Sequence, residues 1–335
     1  MLVVIAIIAL LIGILLPALG KAREAAQRLV DAANQRGLAQ GAQIYMTSAN
    51  DYIPGKFTSG WEGNFDRGRR ANELWSFETT SSTPVQNFDW ISPSVGDAMN
   101  FSTNRARRFK QAFELVSDPA TVRRSNNFVF WAGGQSGTPP DRSQLDDLLE
   151  TDGIQQISYL MPHAFVQPGR LYDQAYLFSS SGSRFADLLP LLNTFTTPVR
   201  INPTFRPRLD FVGTQPSEKI MIANGTRYYE NGELDFDGRT APQLYGAFTT
   251  SSPILRVSAA YGDGAPDPTG TNKLLSYRHG GTINVTYFDG HVSNLTEEQS
   301  KSDPTAWYPS GSTWTGGNAA QQAIDAGWES GDKIP

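Results

Sequence analysis

The first nineteen residues, Met1 to Leu19, carry no ionisable side chain, and charge appears only when Lys21, Arg23 and Glu24 arrive together. As a helix such a run spans roughly 28 Å, close to the hydrocarbon thickness of a bilayer. It fits a secretion signal poorly. No basic residue precedes it, and Pro17-Ala18-Leu19-Gly20 is an indifferent cleavage context. The helical pattern also continues past it. From Lys21 to Ala49 good helix formers dominate, and Ala22, Ala26, Leu29, Ala33, Gly37 and Ile44 fall near one face. The expectation is one helix over residues 2 to 48, roughly 70 Å long, apolar all round at first and amphipathic later. Leu2, Ile5, Ile8, Leu11, Leu15 and Pro17 belong to its apolar, membrane-length half. Gly13 and Pro17 predict a kink or local melting, because proline removes one backbone bond. Gly37 and Gly41 form a G-x-x-x-G spacing that would admit a closely packed sheet.

Asn50-Asp51-Tyr52-Ile53-Pro54-Gly55 stops the helix with turn residues. Residues 50–335 then read as one body, with 31 Gly and 21 Pro in the whole chain favouring a loop- and strand-rich head. Short helices are predicted at 105–116, 141–150 and 184–192, and strands at 128–132, 156–161, 219–223 and 253–258. Near the end, 274–279, 282–288 and 291–295 read as a three-stranded meander within 274–296. Its turns are Gly280-Gly281 and a type I′ Asp289-Gly290, with Ile283, Val285 and Tyr287 on one face, joined across the turn by Val292. Residues 303–335 look like a coil draped on the body. The fold class is α+β: a long stem helix packed on a head with an antiparallel sheet.

The net charge is -5, yet residues 1 to 50 hold Lys21, Arg23, Arg28 and Arg36 against Glu24 and Asp31, so the head is acidic. An acidic head argues against nucleic acid, whose phosphates need a clustered basic face. The basic residues beside the apolar run suit lipid headgroups. The chain has no cysteine, which excludes disulfides, thiolate metal sites and a cysteine nucleophile. Arg67, Arg69 and Arg70, and Arg105, Arg107 and Arg108, read as solvated basic clusters.

His279, Asp289 and His291 invite an acid–base or metal reading. With 282–288 extended, His279 and Asp289 stand roughly 25 to 30 Å apart, too far to share a proton. Two ligands at Asp289 and His291 are too few for a metal, so the motif residues His279, Asp289 and Gly290 are expected to be structural. The loop 262–272 offers Asp263 and Asp267 as weak calcium candidates, and Asp235 and Asp237 are a second pair. No nucleophile-elbow, Walker A, Rossmann or H-E-x-x-H motif occurs, and no enzymatic activity is expected.

The N-terminal segment resembles the prepilin-type helix of type IV pilins and type II secretion pseudopilins, over roughly residues 2 to 50. The stretch from His279 through nine residues to Asp289-Gly290 is similar to the H-X9-DG element of planctomycete-type pilin-like proteins. Members of that family carry a basic leader, a cleavage-site glycine, a methylated residue and a glutamate. None of these is in the sequence, and Met1 stands where a leucine just after that glutamate belongs. A misassigned start or a true truncation would each give this pattern. The resemblance implies a filament subunit held in the inner membrane by its helix with the head outside the cytoplasm. It implies self-association through that helix, and a prepilin peptidase and assembly machinery as partners where a leader exists. It also lends weight to calcium, which some pseudopilins hold near their C-terminal sheet. The alternatives are a single-span anchored protein whose head binds a ligand such as a polysaccharide without polymerising, and an anchored hydrolase.

Overall fold

The computed structural model describes residues 2–54, 79–85, 89–121, 124–125, 147–148, 151, 153–166, 169, 198–226, 248–258, 260–262 and 271–335. Helix α1 runs unbroken over Leu2–Ser48, about 70 Å. The expected melting at Gly13 and Pro17 does not occur. Pro17 forfeits one bond, to the carbonyl of Gly13 four residues back, and open space surrounds Gly13, so the defect stays local. The helix closes on Asn50 and Asp51, both with positive φ, and the Asp51 N–H donates to the Met46 carbonyl at 2.8 Å.

The head follows as α2 (Ile91–Val95), α3 (Arg105–Leu115), β1 (Arg124–Ser125), β2 (Ile154–Gln155), β3 (Tyr159–Pro162), β4 (Val199–Arg200), α4 (Leu209–Val212), β5 (Ile220–Asn224) and β6 (Thr249–Thr250). It ends in α5 (Thr271–Ser276), β7 (Thr282–Tyr287), β8 (Val292–Thr296), α6 (Glu297–Ser302), β9 (Thr313–Trp314) and α7 (Gln321–Asp325). Five strands form the main sheet in the order β6-β3-β5-β7-β8, antiparallel except for the parallel β3–β6 edge. The class is therefore α+β as expected, with the antiparallel sheet extended by one parallel strand, β6.

Ile283 and Val285 of β7 enter the core, while Asn284 and Thr286 on its other face are also buried, because α1 covers that face. In sequence such a strand lacks the polar-out alternation of a half-exposed sheet. Aromatic packing fills the core: Phe109 stacks on Phe113 at 4.1 Å, and Phe113 meets Phe248 edge-on at 5.1 Å.

Several expectations are corrected. Residues 274–279 are not a strand. Leu274 is exposed while Ser276 and Tyr277 are buried, so the side chains do not alternate, and α5 ends there before Gly280 and Gly281 (φ +65° and +79°) launch β7. The expected meander is thus a hairpin, whose first strand pairs with the distant β5. Its turn is not type I′: only Gly290 has positive φ (+89°), and the Gly290 N–H donates to the Tyr287 carbonyl at 2.9 Å. That is a three-residue loop closed by a left-handed glycine. Val292 consequently pairs with Thr286 rather than joining the Tyr287 face.

Residues 253–258 are turns, not a strand, closed by Ser258 N–H to the Leu255 carbonyl; the strand there is the two-residue β6. Prediction at 105–116 and 219–223 agrees with α3 and β5 to within a residue, whereas β3 starts only at Tyr159. Arg105 and Arg108 are buried, not solvated. Arg108 donates to the carbonyls of Thr83, Ser102 and Thr103 and to Thr79 Oγ1, and Arg105 to the Val85 carbonyl. The predicted segments 128–132 and 184–192 lie outside the described residues, as does 141–150 apart from helical 147–148. Asp235, Asp237, Asp263, Asp267 and the cluster at Arg67, Arg69 and Arg70 lie outside them too.

The tail is no loose coil. Trp307, Tyr308, Trp314 and Ile334 are buried, and β9 pairs with β4. Buried Lys219 donates to the carbonyls of Thr305, Tyr308 and Pro335, and burial lowers its ammonium pKa to about 8.

The two glycines of the G-x-x-x-G differ. A Cβ at Gly41 would lie 2.3 Å from Val95 Cγ1 and 3.2 Å from the Ser94 carbonyl, so the close contact is with α2 rather than a sheet, while Gly37 faces open space. Gly41→Leu is expected to destabilise the protein by about 1–3 kcal/mol through overpacking. Gly37→Ala should stabilise it by up to about 1 kcal/mol. Urea denaturation of both variants checks this.

Candidate functional site

Where α1 meets the head its inward face changes character along its length. Leu38, Ala39, Ala42 and Met46 make an apolar upper half, and below them Asp31 and Gln35 are equally buried but polar. A buried carboxylate is costly unless hydrogen-bonded and charge-balanced, so the head must supply partners.

Those partners come from separate elements. Asn224, which ends β5, donates to Asp31 Oδ1 at 3.0 Å. Asn284 of β7 and Gln35, one helical turn on, donate to Asp31 Oδ2 at 2.6 and 3.2 Å. Asn284 also donates to the Arg28 carbonyl at 3.0 Å, and its own N–H reaches Asn224 Oδ1 at 2.7 Å. Gln35 donates to the Asn284 carbonyl and accepts from Thr286 Oγ1. The strand edge thus reads the helix one residue at a time.

The charged members sit on the head side. Asp118 follows α3 in a tight turn, where its Oδ1 accepts from the Ala120 N–H at 2.6 Å. His279, just ahead of the Gly280-Gly281 turn, places Nε2 at 2.7 Å from Asp118 Oδ2 and 3.8 Å from Asp31 Oδ2. Beside it the Arg278 guanidinium lies 3.6 Å from Asp118 and donates to Thr121 Oγ1, Ser158 Oγ and the carbonyls of Leu275 and Gly225. Burial, and then the Asp118 charge, push the Asp31 carboxyl up to about 6. Burial acts to raise Asp118 too, but the His279 hydrogen bond and the Arg278 charge outweigh it and hold it below the usual carboxylate value. Burial and both carboxylates raise the Tyr159 hydroxyl, so it stays neutral.

Of the residues singled out from sequence, His279 enters this cluster and Asp289 does not. Asp289 pairs at 2.6 Å with His291, which stacks on Tyr287 at 4.1 Å. Gly290 instead abuts the stem: a Cβ there would lie 3.1 Å from Gln43 Nε2, and Gln43 donates to the Phe288 carbonyl at 2.9 Å. The spacing of the motif thereby acquires a physical meaning. From Asp31 to Gln43 the helix rises about 18 Å, and the six residues of β7 span about 20 Å, so His279 and Gly290 dock on the stem at the two ends of one strand. Sequence reading missed Asp31, Asp118, Arg278, Asn224 and Asn284. The available signal was Asp31 and Gln35 at i, i+4 on the same face as Leu38 and Ala42.

Asp31, Asp118 and His279 bring their donor atoms within 4.8 Å of one another, a donor set that suits a divalent cation in number and type. Their lone pairs are already engaged, however. Both Asp31 oxygens accept from amides, Asp118 Oδ2 accepts from His279, and Arg278 supplies a fixed positive charge. The arrangement fits a hydrogen-bonded clamp better than an ion site. Nothing matches the chain among protein-family models, curated proteins or solved structures.

Removing Arg278 strands a buried carboxylate and several acceptors. Arg278→Leu is expected to cost about 3–5 kcal/mol. His279→Gln, which keeps a donor for Asp118, should cost markedly less. Chemical denaturation of the two variants checks the order.

Proposed function

We propose that the chain is the structural subunit of a type IV pilus-like or type II secretion pseudopilus-like filament. Its helix anchors it in the inner membrane with the head outside the cytoplasm, and then packs against the helices of other copies. The observation that carries this reading is where the exposed apolar surface of α1 ends. A simple anchor needs such surface only as far as Leu19. Here Val3 to Leu19 are exposed, and on the side turned away from the head Ala26, Leu29, Ala33, Gly37 and Ile44 continue the stripe, with Leu29 69% and Ile44 72% exposed. Ile44 lies about 38 Å beyond Leu19 along the axis, past the reach of a bilayer core. A contiguous apolar stripe left in water marks an interaction surface.

Neighbouring stems would cover both halves. Lipid satisfies the first half before assembly, and other helices replace lipid afterwards, exchanging one apolar environment for another. Beyond its first turn the backbone of the spanning part is hydrogen-bonded within the helix in either state, apart from the bond lost at Pro17. The role is mechanical.

Expression from its own locus should yield fibres visible by negative-stain electron microscopy. Leu10→Lys or Leu11→Lys places a charge in the span at a cost of about 3 kcal/mol or more and should remove both membrane retention and fibres. Ile44→Glu is the discriminating variant, expected to keep membrane retention and a folded head while abolishing fibres. A wild-type protein that stays monomeric in the membrane overturns the filament reading in favour of a non-polymerising anchor.

A further inference from the structure

The lower part of the stem junction has an uneven charge count. Asp31 and Asp118 bring two negative charges into a buried site, and Arg278 brings one positive charge. The other groups facing Asp31 do not correct this. From β3 comes the neutral Tyr159 hydroxyl, from β5 and β7 the amides of Asn224 and Asn284, and from α1 itself the Gln35 amide. Glu24, two turns earlier, meets Gly280 at the exposed margin. The remaining group is His279, whose Nε2 lies 2.7 Å from Asp118 and 3.8 Å from Asp31, with its buried Nδ1 making no hydrogen bond. The cluster is neutral only with one additional proton, which the raised Asp31 carboxyl can carry.

The rest of the interface makes that proton matter. Residues 38–46 dock through Leu38, Ala39, Ala42 and Met46, whose burial does not depend on pH. Among the described residues, 24–35 dock through polar contacts: Gln27 to the Pro119 carbonyl, the Arg28 carbonyl, Asp31, Asn34 to the Tyr159 hydroxyl, and Gln35.

We propose that the Asp31–Asp118–His279 cluster is a single-proton latch, which clamps the head to residues 24–35 of the stem when protonated and releases that segment when the proton leaves, with residues 38–46 as the pivot. The inference is independent of whether the subunits polymerise.

The pH direction follows from the two carboxyls. Asp31 is raised in the docked state, to about 6 from 3.8. Its contribution is therefore fully present below 3.8 and is lost as pH rises through 6. Asp118 is lowered, so its contribution is present above 3.8 and fades as pH falls below that value. Docking is therefore tightest near pH 4, loosens as pH rises toward 6, and stays loose above that, where the Asp31 carboxyl is ionised in both states.

Because the chain has no cysteine, a single introduced thiol is a unique probe of opening. Thr286→Cys lies buried against Gln35 in the polar half, and Met46→Cys lies in the apolar half. In the full-length protein in detergent, labelling by a neutral thiol reagent is followed from pH 4 to pH 8. Rates are divided by those of a free cysteine peptide to remove thiolate chemistry. The corrected rate at residue 286 is expected to rise between pH 4 and pH 6, by up to about tenfold per pH unit where the docked state holds a proton that the released state has lost, and to level off above that range, while residue 46 stays slow and flat. Asp31→Asn, and separately Asp118→Asn, each remove one of the two charges and should flatten the profile at residue 286. Circular dichroism identifies any variant that has not folded, in which case the other decides. A flat wild-type profile overturns the latch, as does the same slope in a folded Asp31→Asn protein. Slowing of residue 286 labelling at pH 8 by millimolar Mn²⁺ in the wild-type background but not with Asp31→Asn also overturns it, by showing that an ion rather than a proton balances the cluster.

Discussion

Burial of the Asp31 carboxylate is the constraint around which this structure is arranged. A helix whose first nineteen residues are apolar needs no carboxylate two turns before its apolar docking face, and a hydrophobic residue there would be cheaper to bury. With Asp31 in place the head has to meet it with several donors. They come from residues far apart in the chain: Asn224, Asn284, and through Asp118 the pair Arg278 and His279. These contacts fix which face of β7 turns toward the stem, and a one-residue slip would put Ile283 and Val285 against Asp31 instead. The polar contact thus sets register, while the core beneath the sheet supplies the bulk of the burial.

The stem helix serves three environments at once. Its first part is apolar on every side, as lipid or a bundle interior requires. Its second part divides between a head-facing side that is half polar and half apolar, and an outer side bearing Leu29 and Ile44. Helical periodicity alone identifies an apolar stripe at Ala22, Ala26, Leu29, Ala33, Gly37 and Ile44, and the natural inference is that such a stripe packs on the head. The head takes the opposite side. The residues that decide this, Asp31 and Gln35, look like solvent-facing residues until their partners are known.

The His279 to Gly290 segment illustrates a related point. Its two glycine turns and its strand are visible in the residues, but its spacing makes sense only beside the helix. One strand length matches the rise between Asp31 and Gln43, so the histidine end and the glycine end grip the same stem at two points. Gly290 is needed for its left-handed backbone and because a side chain there would press on Gln43.

Much of the architecture was legible in the residues because it depends on local rules. The helix ending at Ser48, α3, β5, and the β7 and β8 strands follow from periodicity, propensity and a glycine turn. These signals act over a few residues and survive any tertiary setting. What failed were features decided by distant partners. Residues 274–279 became a helix end because α5 had Ala260 and the Gly280-Gly281 turn to pack against. Arg105 and Arg108 were drawn inside because loop carbonyls at 79–85 and 102–103 needed donors. The buried cluster joins residues 31, 118 and 279, with 161 positions between Asp118 and His279 alone. By itself the sequence determined a membrane-length apolar helix continuous with an α+β head, since length, hydropathy and periodicity are local sums. Only the tertiary structure decided which side of that helix the head covers and that Asp31 lies buried beside Asp118 and His279. Burial and electrostatic balance belong to residues brought together in space, and no stretch of chain carries them alone.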